Sequence, residues 1–115
     1  MTGALDLAQV TLIGEALAAA PVAVFVWDED RNYAAVNDAA CSLVGLSRDE
    51  LLRTKVGDLT PDGAAPHFDE VQRRKWLVGS LTFTRTDGVP VELEWVTFQT
   101  TLAGLPYMAS LCWPV

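Results

Sequence analysis

Apolar residues fill 4–20 (ALDLAQVTLIGEALAAA) and recur at helical spacing. Leu5, Ala8, Leu12 and Ala16 form one stripe, and Val10, Ile13 and Leu17 form a second. Asp6, Gln9 and Glu15 are the main polar interruptions. A helix that is apolar over most of its girth needs cover on more than one side. Pro21 ends it. The pattern then changes period. Residues 22–28 (VAVFVWD) are a continuous β-branched and aromatic run, the signature of a strand covered on both faces. After the polar turn 28–32, residues 33–36 read as a second strand, so 22–36 predicts a hairpin.

The middle of the chain predicts short helices. Asn37 can cap a helix over 38–44, with Gly45 at the left-handed position that closes it. Ser47 and Glu50 have the spacing of a capping box, which starts a helix over 48–53. A further turn covers 55–59. Pro61, Asp62, Gly63 and Pro66 make a loop, and a helix runs from 66 to 77 with Pro66 at its first position and Gly79 closing it. Alternation returns over 80–86, with Leu81 and Phe83 on one face. Asp87-Gly88 reads as a hairpin turn. Residues 89–100 put Val89, Val91, Leu93 and Trp95 together. Ala103-Gly104 is a second turn, and 106–113 is a last strand. Two early and three late strands most simply join in one antiparallel sheet with the helices on one face. The fold class is therefore α+β, with residues 1–20 as a capping or dimerisation helix and 21–115 as the domain proper.

Composition narrows the function. The chain has 115 residues, half of them hydrophobic, and a net charge of −7. An acidic surface disfavours nucleic acid and anionic lipid. The one basic cluster, Arg73-Arg74-Lys75, reads as a solvated helix face. With no long apolar span and no basic leader, the expectation is a cytoplasmic protein. The two cysteines, Cys41 and Cys112, lie among apolar neighbours and read as small buried hydrophobes. No nucleophile elbow or glycine-rich phosphate loop occurs, and Asp28-Glu29-Asp30 sits in a turn. The reading is of a protein that is not an enzyme.

Three segments, "APVAVFVWDEDRNYAAVNDAACSLVGLSRDELL", "VGDLTP" and "FTRTDGVPVELEW", occur in an order and spacing that resemble the PAS family. The resemblance covers 21–113. It implies a five-stranded antiparallel sheet with helices on one face, a space between the two that often holds a small molecule, and a role in signalling. Two-component systems are one setting for it. The family's last strand commonly leads into an acidic-aliphatic-Thr motif that couples to an output helix. Here the sequence ends in SLCWPV, and Pro114 disfavours a continuing helix. Either the sequence is a piece of a longer protein, or the N-terminal helix carries the coupling.

The residues expected to face such a space are Phe25 and Trp27 on the first strand, and Leu81, Phe83, Val91, Leu93, Trp95 and Leu111 on the later ones. Leu52, Val56, Leu59, Phe68 and Val71 face them from the helices. A core packed to crystal-like density with no cavity is the competing reading of the same apolar residues. Asn37 reads first as a cap and second as a ligand contact. His67, the one histidine, stands on the helix that carries the axial ligand in haem-binding members; a helix-start histidine is the plain alternative. Light-sensing members carry a Cys in the loop that is DLTPDGAAPHF here, so a covalent flavin or chromophore is not expected.

Three functions follow. The first is a sensory domain that binds a small apolar or amphipathic ligand non-covalently and dimerises through residues 4–20 and the outer sheet face, with a possible signalling partner domain. The second is a ligand-free dimerisation module. The third is a haem-based gas or redox sensor through His67.

Overall fold

A computed structural model describes residues 4–56, 70–71 and 73–115. Helix α1 (Ala4–Ala18) leads into strands β1 (Ala23–Asp28) and β2 (Tyr33–Val36), helices α2 (Asp38–Val44) and α3 (Arg48–Leu51), and strands β3 (Trp76–Thr84), β4 (Pro90–Leu102) and β5 (Leu105–Pro114). The five strands form one sheet in the order β2-β1-β5-β4-β3, every pairing antiparallel. The first hairpin and the later meander are thus joined edge to edge through β1 and β5, and the fold is α+β.

Local chemistry sets the boundaries. Asn37 Oδ1 accepts from the Ala40 amide and starts α2, and Gly45, at φ 86°, closes it. Ser47 and Glu50 bond reciprocally as a capping box at the start of α3. Gly88, at φ 88°, makes the β3–β4 turn, and Ala103 and Gly104 are both left-handed in the β4–β5 turn.

The tip of the β3–β4 hairpin holds the helices to the sheet. Arg85 Nη1 donates to the Ser42 and Leu43 carbonyls at 2.7 and 2.9 Å, and the Thr86 hydroxyl donates to the carbonyls of Val44 and Gly45. These are the orphan acceptors at the C-terminus of α2. Ala40, Val44 and Leu51 are fully or almost fully buried against β1 and its neighbours.

One boundary differs from expectation. The helix expected over 66–77 is helical at 70, 71, 73 and 74, but it ends before Lys75, whose φ is 75° and whose amide donates to the Val71 carbonyl at 2.7 Å. Strand β3 then begins at Trp76, and Gly79 lies inside it rather than closing the helix. The cause is alternation that starts earlier than 80: Leu77, Gly79, Leu81 and Phe83 share one face. On that face the Gly79 Cα lies under the Trp95 indole, where a Cβ would come within 2.6 Å of the ring. The Arg73 and Arg74 side chains are exposed and face Glu70 at 3.9 and 3.6 Å, as a solvated helix end should.

Candidate functional site

The ladder register builds the site. Strand partners share a face, so the inner face of the sheet can be followed rung by rung. Trp27 pairs with Met108, which pairs with Gln99. One step along, Phe25 pairs with Ser110, Ser110 with Thr97, and Thr97 with Leu77. The next rung is Ala23, Cys112, Trp95 and Gly79. Beyond it lie Leu93 with Leu81, and Val91 with Phe83.

Apart from Gln99 on its end rung, this wall is apolar except at its centre. There the Trp27 indole N–H donates to Ser110 Oγ at 3.1 Å, and Ser110 Oγ and Thr97 Oγ1 are 2.8 Å apart. Thr97 is 7% exposed and Ser110 is half-buried. Cys112 stands one rung away. Its burial pushes the thiol pKa up to about 12, so it remains protonated and is no nucleophile at neutral pH. Cys41, on α2, is half-buried rather than buried. At the Trp27 end of the wall an open cleft of about 240 Å³ lies among Glu29, Lys75, Gln99, Pro106, Tyr107 and Met108. Two of these residues are joined by a backbone bond, in which Gln99 N–H donates to the Lys75 carbonyl at 2.8 Å.

The expected residues fall into five groups. Phe25, Trp27, Phe83, Leu93, Trp95 and Val71 are buried in one cluster, with Leu81, Val91 and Val56 half-buried against it. Leu111 does not join them. It pairs with Val24 and Val96 and stands on the outer face. Asn37 is committed elsewhere: Oδ1 accepts from the Val24 and Ala40 amides at 3.0 Å, and Nδ2 donates to the Leu17 and Val22 carbonyls at 2.8 Å. That is the full capacity of a side-chain amide, so no atom of it is left for a ligand. On α3 the inward residue is Leu51, fully buried, and Leu52 is the half-buried C-cap. Leu59, His67 and Phe68 lie outside the described residues, so the haem reading rests on a residue the structure does not describe.

A hairpin closed by Asn37, two short capped helices and a three-stranded meander returning to pair with β1 make up one known architecture. The family model of the PAS fold matches residues 13–99. The chain belongs to the PAS family. Several solved domains resemble it across almost their whole length. One, from a two-component sensor histidine kinase, has a TM-score of 0.83 and 16% identity, over 96% of this chain and 99% of that one. A domain of a sensory box sensor histidine kinase/response regulator from Geobacter sulfurreducens has a TM-score of 0.80 and 23% identity, over 96% and 98%. The PAS domain of nitrogen regulation protein NR(II) from Vibrio parahaemolyticus has a TM-score of 0.76 and 18% identity, over 90% and 98%. Among curated proteins none matches the chain by sequence.

Sequence reasoning missed the polar centre of this PAS sheet. Thr97, Ser110, Met108 and Cys112 were within reach of one signal. A two-residue turn at Ala103-Gly104 pairs Leu102 with Leu105 and therefore Thr97 with Ser110 and Trp95 with Cys112. The same register turns Leu111 outward. Among the described residues, no three metal-binding side chains cluster, and no helix is long and apolar enough to cross a membrane.

Proposed function

We propose that this PAS domain is a sensory module that holds a small apolar or amphipathic molecule against the inner face of its sheet and works as a dimer. The observation that carries the reading is the pair of buried or half-buried hydroxyls, Thr97 and Ser110, in the middle of an apolar wall. Polar groups in such a wall cost free energy unless they have partners, and binding sites recur where a few convergent polar groups interrupt an apolar surface. Two things support the reading: PAS domains often hold a small molecule between sheet and helices, and sensor kinases stand among the structural neighbours.

Native mass spectrometry of the purified protein tests the ligand. The expected spectrum has a species heavier than the bare chain that releases a small molecule on denaturation. A bare chain that also fails to bind any compound in a fragment panel would overturn the reading. An absorbance scan of the same sample reads the haem alternative through its Soret band.

A second reading, a dimerisation module without ligand, is favoured by one feature. Leu7, Val10, Leu12 and Ile13 of α1 are each more than 60% exposed. Apolar surface of that extent marks an interface.

A further inference from the structure

Hydrogen bookkeeping at the centre of the inner face says what the ligand must carry. Trp27 Nε1–H, the Ser110 hydroxyl and the Thr97 hydroxyl supply three hydrogens. One goes from Trp27 to Ser110 Oγ, and one lies between Ser110 and Thr97. Either hydroxyl can donate in that second bond. If Ser110 donates, the Thr97 hydrogen is left over. If Thr97 donates, Ser110 accepts twice and its own hydrogen is left over. In both arrangements one hydroxyl hydrogen has no acceptor among the described residues, while the Ser110 oxygen already accepts from the indole. The site therefore offers a donor and wants an acceptor.

The surroundings agree. The neighbouring side chains on this rung and the two beside it include Phe25, Leu77, Trp95, Cys112 and Met108, none of which has a strong acceptor, and Gln99, whose carboxamide makes no hydrogen bond to either hydroxyl. The cleft lined by Gln99 and Met108 opens one rung away, about 7 Å along the strand. Lys75 and Glu29 both line that cleft, so it carries one cationic and one anionic residue.

Resting on the ligand-binding reading above, we propose that the molecule held on this face carries a carbonyl-type oxygen acceptor, in a ketone, aldehyde or carboxylate on a compact apolar body. The Thr97–Ser110 hydroxyl pair recognises that oxygen. The indole of Trp27 holds the pair in place, and the apolar wall selects the rest of the molecule. A hydrocarbon of the same shape leaves the hydroxyl hydrogen unbonded and so binds more weakly.

The test is a matched pair of probes titrated into the full chain and followed by ¹H–¹⁵N NMR. Cyclohexanone and methylenecyclohexane have nearly the same shape and differ in the acceptor. The expected result is about tenfold tighter binding of the ketone, with a shift of the Trp27 Nε1–H resonance. Thr97→Val and Ser110→Ala, each checked for a native-like spectrum, should erase that advantage and leave the hydrocarbon unaffected. Cyclohexanecarboxylate in parallel separates a charged from a neutral acceptor, and Lys75→Met should weaken that probe alone. Equal binding of ketone and hydrocarbon, or an advantage that survives both hydroxyl deletions, overturns the acceptor assignment while leaving a ligand site intact. Failure of every probe to bind removes the ligand site itself, and the assignment with it.

Discussion

At the scale of single residues, Asn37 decides more of the fold than any other polar side chain described. Its four bonds tie the end of α1, through the Leu17 carbonyl, to the start of β1 and to the first turn of α2. It is 6% exposed, so water cannot replace a lost partner cheaply. Asn37→Ala removes a helix cap and strands two amides and two carbonyls. The expected loss of unfolding free energy is about 3 kcal/mol, combining a cap with incompletely rehydrated backbone groups. Asn37→Asp keeps both acceptor bonds and loses both donor bonds, so its melt should fall between those of the parent and Asn37→Ala. Urea titrations of the three proteins measure this order. A loss below about 1 kcal/mol for Asn37→Ala would show that the cap is the whole contribution. In sequence the residue was readable as a cap, because Asn ahead of a short apolar helix is a local signal. Its tie to Leu17 was not readable, since it depends on where α1 ends in space.

At the scale of elements, legibility followed the range of the determining contact. The hairpin 22–36, the capped helices α2 and α3 and both later turns were legible because each is set by residues within a few positions of one another. The start of β3 was not. Its glycine resembles a helix stop, whereas Gly79 is required by the Trp95 indole across the ladder, sixteen residues away by number. The candidate site divides in the same manner. Its apolar wall could be read from alternation, but alternation yields two faces without saying which one faces the helices. Alternation alone therefore puts Leu111 inward and leaves Ser110 and Thr97 unmarked. The Gly79–Trp95 contact can be tested directly. Gly79→Ala puts a methyl into the ring, and the indole must turn away from a wall in which it is 9% exposed. The expected cost is about 1–3 kcal/mol, typical of overpacking. Near-ultraviolet circular dichroism should change with it, because the indole environment changes. An unaltered spectrum with unaltered stability would mean that the sheet edge relaxes instead of the ring.

At the scale of the whole molecule, two broad apolar surfaces are left over among the described residues. A compact domain of this length has a radius of gyration of about 13 Å, whereas this chain has 14.4 Å and extents of 46 × 30 × 26 Å. One surface is α1, whose residues from Leu7 to Ala18 are exposed. The second surface is the outer face of the sheet. Two adjacent rungs cross four strands there: Val26, Ala109, Phe98 and Trp76 in one, and Val24, Leu111, Val96 and Val78 in the other. Trp76 and Val78 are both 60% exposed. A helix that is apolar almost all round has more surface than one partner element can cover, so it suits a place between a second helix and a sheet. Two copies of this chain related by a twofold axis would satisfy both surfaces at once, since a twofold interface presents the same patch from each side. The expected mass in light scattering is therefore that of a dimer, and Leu12→Glu with Ile13→Glu should convert it to a monomer that keeps its far-ultraviolet spectrum. Trp76→Glu separates the two halves of the argument. A monomer would mean that the outer sheet face lies in the interface, and a dimer would confine the interface to α1. If the parent chain itself has the mass of a monomer, the partner that covers α1 is not a second copy of this chain.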